Sequence, residues 1–271
     1  MGTRWRSDVA TLATRAAVVI IFAVAWMPAV AAAQDKTLNE GYPVRLGDAF
    51  PIARGEGAVL LGSGVSLQRE SPNRGFFPLS VQYGILPRTQ LTIATVLSSH
   101  PHDVDDPHSG DVTANGRVNF GRETTVLPSF AALLGLTAPT GVDSHAVVLT
   151  LKGYATKTVT NTVYLHANAA MDVADRVRDD ERRARYRVAA GPSMTVPWFA
   201  TVLVVADVFA EQSLRSDRST TVGIEGGLRQ RITANLYWHA GVGTELAGPR
   251  DRAALIANVG IAYNFVVPGA R

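Results

Sequence analysis

An all-β fold, an antiparallel transmembrane β-barrel of about twelve strands, is what this sequence predicts. Three observations carry that prediction. Segments of about ten residues alternate apolar and polar side chains with a period of two, as strands between unlike media do. That length suits tilted membrane-crossing strands. The connections between segments sort by parity: the odd-numbered ones include the longest and most charged, and the even-numbered ones are mostly short. A soluble sandwich, the competing all-β architecture, has no reason to sort its loops this way.

Taken in order, the chain opens with Arg4, Arg6 and Arg15, then an apolar run from Ala16 to Val30 and the small residues Ala31-Ala32-Ala33. This is the plan of a signal peptide spanning 1–33. A membrane-anchoring helix is the alternative; the run is short for a span of ~20 residues, and Pro28 breaks it. Residues 34–56 are polar and rich in Gly and Pro, and read as an irregular periplasmic segment whose entry into a lumen the sequence does not decide. The barrel follows over 57–265, with a short tail at 266–271. Its candidate strands are Ala58–Gln68, Phe76–Ile85, Gln90–Ser98, Gly110–Gly121, Ser129–Ala138, His145–Lys157, Thr162–Ala174, Arg185–Val196, Phe199–Gln212, Thr220–Arg231, Asn235–Leu246 and Ala253–Phe265.

The last strand shows the alternation well. Leu255, Ala257, Val259, Ile261, Tyr263 and Phe265 share an apolar face; Asn258, Gly260 and Asn264 lie opposite. In Thr162–Ala174, Val163, Leu165 and Met171 oppose His166, Asn168 and Asp172. Phe199–Gln212 departs from the pattern: Leu203, Val205 and Phe209 share a face with Asp207 and Glu211. Pro192 inside Arg185–Val196 weakens that strand or marks a bulge.

Composition excludes several functions. The formal charge is +3, of which the signal segment supplies +2 through three arginines and Asp8, so nothing points to nucleic acid. There is no cysteine, hence no disulfide or thiolate metal site. No phosphate-cradling loop or dinucleotide fingerprint occurs, and no cofactor is expected. His100, His102, Asp103, Asp105, Asp106 and His108 have the chemistry of metal ligands but read as a solvated loop. His166, Asn168 and Ser193, or His239 with Glu245, hold the residue types of a lipid hydrolase, although a Gly-x-Ser-x-Gly elbow is missing. A wet lumen explains them as well. Asp111, Arg117, Lys152, Asp172, Arg187, Glu225, Arg229, Arg231 and Glu245 also fall on the inward faces. A dry core would not tolerate so many charges; a hydrated lumen would. With His166 and His239 they are the candidate lumen-lining, selectivity-setting residues.

The chain resembles the bacterial outer-membrane proteins named for the meta-pathway of phenol degradation. The likeness lies in Asp48-Ala-Phe-Pro-Ile before Arg54-Gly55-Glu56, and in Pro78-Leu79-Ser80-Val81-Gln82-Tyr83-Gly84-Ile85 before Leu91-Thr92-Ile93. It continues in Gly110-Asp111, Pro139-Thr140-Gly141, His166-Ala167-Asn168, Tyr186 to Gly191 and Tyr263-Asn264-Phe265. Members usually end on the aromatic, whereas Val266 to Arg271 follow Phe265 here. The resemblance implies a barrel in the outer membrane of a Gram-negative bacterium that admits small, often hydrophobic molecules. Its partners would be outer-membrane lipid, the barrel-insertion machinery and a small-molecule solute, with no enzymatic role. A lipid-modifying hydrolase and a soluble exported ligand-binding β-protein are the alternatives. Mass spectrometry of purified outer membranes should find a mature chain starting at Gln34 or within a residue or two; an intact 1–33 segment would refute the signal assignment.

Overall fold

The computed structural model describes residues 38, 43–99 and 109–267. They form a closed barrel of twelve antiparallel strands, each paired with its neighbours in sequence and β1 closing on β12. The strands are β1 Glu56–Gln68, β2 Arg74–Leu86, β3 Thr89–Ser98, β4 Val112–Gly121, β5 Ser129–Ala138, β6 Val148–Thr158, β7 Val163–Ala174, β8 Ala184–Thr195, β9 Val202–Glu211, β10 Thr221–Arg231, β11 Leu236–Ala247 and β12 Ala253–Val266. The expected count holds, and the boundaries differ by a few residues at most. The signal segment and the histidine-rich loop at 100–108 lie outside the described residues.

Closure leaves no sheet edge, so every strand finds backbone partners on both sides. The β1–β12 seam runs from Glu56 opposite Val266 to Gln68 opposite Ala253. At its base the Phe265 ring lies over Gly57, where a Cβ would come within 2.4 Å of it. The short connections gather at one end of the barrel, including the two-residue turn Pro87–Arg88, whose tightness holds Arg88 at φ 62°. The long ones gather at the other.

Side chains sort by face as the period of two requires. Along β7, Leu165, Ala167, Ala169 and Met171 are exposed, while His166, Asn168, Ala170 and Asp172 are buried. Val259 on β12 is 53% exposed and Ile224 on β10 is 42% exposed, because none of the described residues covers the outer wall there. Pro192 does not bulge β8: the pairing with β9 drops out at 191–192 and resumes in the same register, Ala190 opposite Val208 and Ser193 opposite Val205.

The lumen is not empty. Residues 43–55, with Leu38 folded back onto them, run inside it as an irregular, hydrogen-bonded segment. The chain enters at the end of the short turns, where the Gly55 amide donates to the Gly84 carbonyl (2.9 Å) and Gly55 accepts from the Val267 amide (2.9 Å). This placement accounts for β9. Leu203, Val205 and Phe209 face inward and cluster with Leu38, Val44 and Leu46 of the inserted segment. An apolar inward face is stable there because it meets chain instead of water.

An arginine at a lipid-facing midplane position costs roughly 2–4 kcal/mol in such barrels. Val259→Arg and Ile224→Arg should therefore impair folding, read as loss of heat-modifiable gel mobility. Folding as efficient as the native chain's would reverse the assignment of faces.

Candidate functional site: the lumen and its inserted segment

An irregular backbone buried in a lumen has no ladder to satisfy its amides and carbonyls, so side chains of the wall must do it. Asn168 does this twice: its Oδ1 accepts from the Gly47 amide (2.7 Å) and its Nδ2 donates to the Gly47 carbonyl (2.9 Å). Thr156 Oγ1 accepts from the Ala49 amide (2.9 Å), and Asn119 donates to the Ala49 carbonyl (2.7 Å). Gln90 Oε1 accepts from the Ile52 amide (3.0 Å). Arg117 donates to the carbonyls of Asp48 (3.2 Å) and Phe50 (3.0 Å), and Asn258 to that of Pro43 (2.9 Å). With Arg45 on Glu211 and Glu225, polar contacts reach from β3 and β4 through β6 and β7 to β9, β10 and β12. The segment thus spans the cross-section.

Apolar contacts and close approach complete the fit. Ala49 clusters with Ala131, Leu133 and Tyr154, and Ile52 with Ala58, Leu60, Tyr237 and Ala262. Gly227 and Gly241 are cross-strand partners on β10 and β11. They form a notch for Pro43: a Cβ on Gly227 would come 2.7 Å from the Pro43 ring, and one on Gly241 2.3 Å from its carbonyl oxygen.

Charges divide the lumen. Arg117 on β4, Lys152 on β6 and Arg185 with Arg187 on β8 make one wall basic; Asp172 of β7 is shared by Arg185 (3.0 Å) and Arg187 (3.0 Å) and takes the Thr150 hydroxyl (2.7 Å). Asp207 and Glu211 on β9, Glu225 on β10 and Glu245 on β11 make the other acidic. The inserted segment is complementary to both. Its Asp48 faces Arg117 (3.9 Å) and accepts from the amides of Leu38 (2.8 Å) and Phe50 (3.0 Å); its Arg45 faces the glutamates. Burial pushes the Asp48 carboxyl up to about 6, against the opposing pull of Arg117.

Above the segment, toward the long loops, lie two sizeable cavities among the described residues. One of about 530 Å³ is lined by Phe76, Pro78 and Val96 of β2 and β3 and, from β4 to β8, by Arg117, Leu133, Tyr154, Asp172, Arg185 and Arg187, with Asp111 at the rim. The second, about 430 Å³, adjoins it at Phe76, Val96 and Arg185 and is floored by Pro43, Val44 and Arg45.

The candidate residues therefore have different tasks. Arg117 and Glu225 anchor the segment. Lys152 stands 5.0 Å from the Tyr154 ring, and Arg229 lies 4.2 Å from that of Tyr237. Asp111 braces the rim by accepting from the Gly141 amide (2.8 Å) and the Ser144 hydroxyl (2.8 Å); Glu245 does so through the Ala253 amide (2.6 Å). Arg231 ends β10 near the short turns. Gln90, Asn119, Thr156 and Asn258 are not among the candidate site residues read from the sequence, since a polar residue on a wet face looks the same whether it holds water or backbone.

His166 does meet Ser193: Nε2 is 2.8 Å from Oγ, and Nδ1 is 3.0 Å from Thr156 Oγ1. The imidazole is thus held between two hydroxyls, one of which, Thr156, also accepts the Ala49 amide of the inserted segment. Ser193 is only 2% exposed, closed off from any substrate. Asn168 is spent on Gly47. His239 and Glu245 stand six residues apart along one strand, ~20 Å, too far to act together.

No family model matches the sequence, and no curated protein matches it significantly. Solved structures do match the fold. The NanC porin aligns with a TM-score of 0.58 at 8% identity, covering 76% of this chain and 98% of its own. An outer membrane channel from Pseudomonas putida F1 gives 0.56 at 15% identity, over 84% and 100%. The KdgM porin gives 0.52 at 12%, over 76% and 99%. At these identities the likeness is one of fold.

If Gly241 is glycine for the sake of Pro43, Gly241→Ala should leave the barrel folded but unseat the segment. Trypsin should then cut at Arg45 in the detergent-folded variant and spare it in the native protein, read by mass spectrometry of the N-terminal fragments. Gly226→Ala, whose Cβ would meet nothing nearer than 3.7 Å, is the control. Equal cleavage in all three would refute the notch.

Proposed function

We propose that this chain is an outer-membrane channel for passive entry of small molecules into a Gram-negative bacterium, and that residues 43–55 stop its lumen in the state described here. The observation that carries this reading is the contrast between the two surfaces of the closed wall. Outside, apolar residues lie bare, which suits hydrocarbon; inside, both signs of charge line cavities of about 430 and 530 Å³. The porin and channel folds among its structural neighbours support the same reading. Outer-membrane lipid and the barrel-insertion machinery are then its partners, and the long loops face outward.

The solute class proposed is small molecules with a hydrophobic or aromatic body, as the resemblance to the phenol meta-pathway proteins implies. The larger cavity fits it: Phe76, Leu133 and Tyr154 suit an apolar body, and the arginine-bearing wall a polar handle. Lipid hydrolysis is disfavoured by the burial of Ser193, which no substrate reaches, and by Asn168 being held by Gly47. In planar bilayers the native protein should conduct weakly, and a variant lacking residues 35–52 strongly. Deletion cells should take up small aromatic solutes more slowly than complemented ones. A folded barrel that conducts nothing in either form would overturn the channel reading.

A further inference from the structure

Arg45 is the inserted segment's contact with the acidic wall, and its surroundings are built for a guanidinium. The Glu225 carboxylate accepts both from the Arg45 guanidinium and from the Arg45 amide, the latter at 2.9 Å. Glu211 lies 3.5 Å from the guanidinium on the neighbouring strand. The Phe209 ring is 3.9 Å from the guanidinium carbon, so the planar cation lies against an aromatic face as well as between carboxylates. The place is also reachable. The Arg45 side chain is 35% exposed and forms part of the floor of the 430 Å³ cavity, which lies toward the long loops. Elsewhere the segment is held by neutral amides and hydroxyls and by Arg117, whose carboxylate partner Asp48 is fully buried and out of a dissolved cation's reach.

We propose that the pocket of Glu211, Glu225 and Phe209 is a cation-recognition site of the lumen, occupied by the chain's own Arg45, and that a soluble guanidinium cation entering the cavity displaces Arg45 and unlatches the inserted segment. This rests on the channel reading for its consequence, permeation, but not for its test. Arg45 is the only charged residue between Pro43 and Gly47, so its displacement removes the ion pairs that hold this end of the segment and loosens Pro43 to Leu46 first. Selectivity for guanidinium over simple ions follows from the flat stack on Phe209 and the two-carboxylate clamp, which a hydrated sodium ion cannot reproduce.

The test uses the absence of native cysteine. Val44→Cys, a near-isosteric change at a buried position beside the latch, reports departure of the segment by its reaction with a maleimide in the folded, detergent-solubilised protein. Labelling should be slow in Val44→Cys alone. It should be about ten- to hundredfold faster when Arg45→Ala or Glu225→Gln is added, the range spanned by loss of one charge-assisted hydrogen bond. Ethylguanidinium chloride should accelerate labelling of Val44→Cys but leave the Arg45→Ala form unchanged, while sodium chloride at equal ionic strength does far less. Arg45→Lys, which keeps the charge and loses the stack, should label at an intermediate rate, and heat-modifiable mobility verifies that each barrel is folded. Equal rates with and without Arg45, or ethylguanidinium acting no differently from sodium, would overturn the latch. Flux through the reconstituted protein is measured separately, so a latch that works in a barrel that never conducts would leave the latch standing and remove the channel.

Discussion

Buried backbone must be hydrogen-bonded, and residues 43–55 meet that demand in the hardest setting, inside a barrel whose own strands have no bonds to spare. Each wall strand is already paired on both sides, so the lumen can offer only side chains. That fixes the identity of much of the inner surface. Asn168, which can donate and accept at once, sits where a single residue, Gly47, presents both its amide and its carbonyl. Asn119 and Thr156 divide the two groups of Ala49 between them. An unsatisfied buried amide or carbonyl costs about 1–3 kcal/mol, so losing two or three of these partners would cost as much as a small domain's margin of stability. The polar lumen is therefore as much a receptor for the chain's own N-terminal segment as a lining for water.

The same constraint explains what could be read from the sequence. The wall was legible because its signal is local: Leu165 and His166 alternate within one strand, and neighbouring strands pair in order of sequence. The inserted segment was not, because its partners are remote. Gly47 lies 121 residues from Asn168, and Arg45 lies 180 from Glu225. Within 43–55 no period survives, since each residue answers to a different strand. Two traces were nonetheless present. Leu203, Val205 and Phe209 broke the apolar-out rule of a wet barrel, and Gly227 with Gly241 put two glycines on an inward face. Both are the imprint of something packed against the wall, and either would have argued for an occupied lumen.

A roll of inward charges misjudges the interior in a similar way. Sequence supplies the residues of both signs but not their arrangement around the circumference. In the barrel they separate, mainly basic from β4 to β8 and mainly acidic from β9 to β11, with Asp172, Arg229 and Arg231 the exceptions. Such a division makes a field across the lumen rather than along it. Much of it is already used: Asp172 is taken by two arginines, Asp111 and Glu245 by backbone amides of the rim. What is left facing the larger cavity is chiefly Arg117, Arg185 and Arg187, with Phe76 and Tyr154 in the same lining.

Wall and inserted segment also differ in what their loss would entail. The ladders close from β1 to β12 without help from residues 43–55, so the barrel's cooperativity does not pass through them. The two are joined at one place, where Arg54 bridges to Gly84 and Gly55, at φ 78°, turns the chain from the lumen into β1. Glycine is needed there because a side chain at that φ is strained. Beyond this hinge, the segment is held by scattered side-chain bonds, three small apolar clusters and two charge contacts, each modest by itself and none shared with the wall's own pairing. A wall closed on itself and an insert attached at one turn can separate without unfolding. That separability is what the proposed channel requires, since its lumen would have both to seal and to pass a solute.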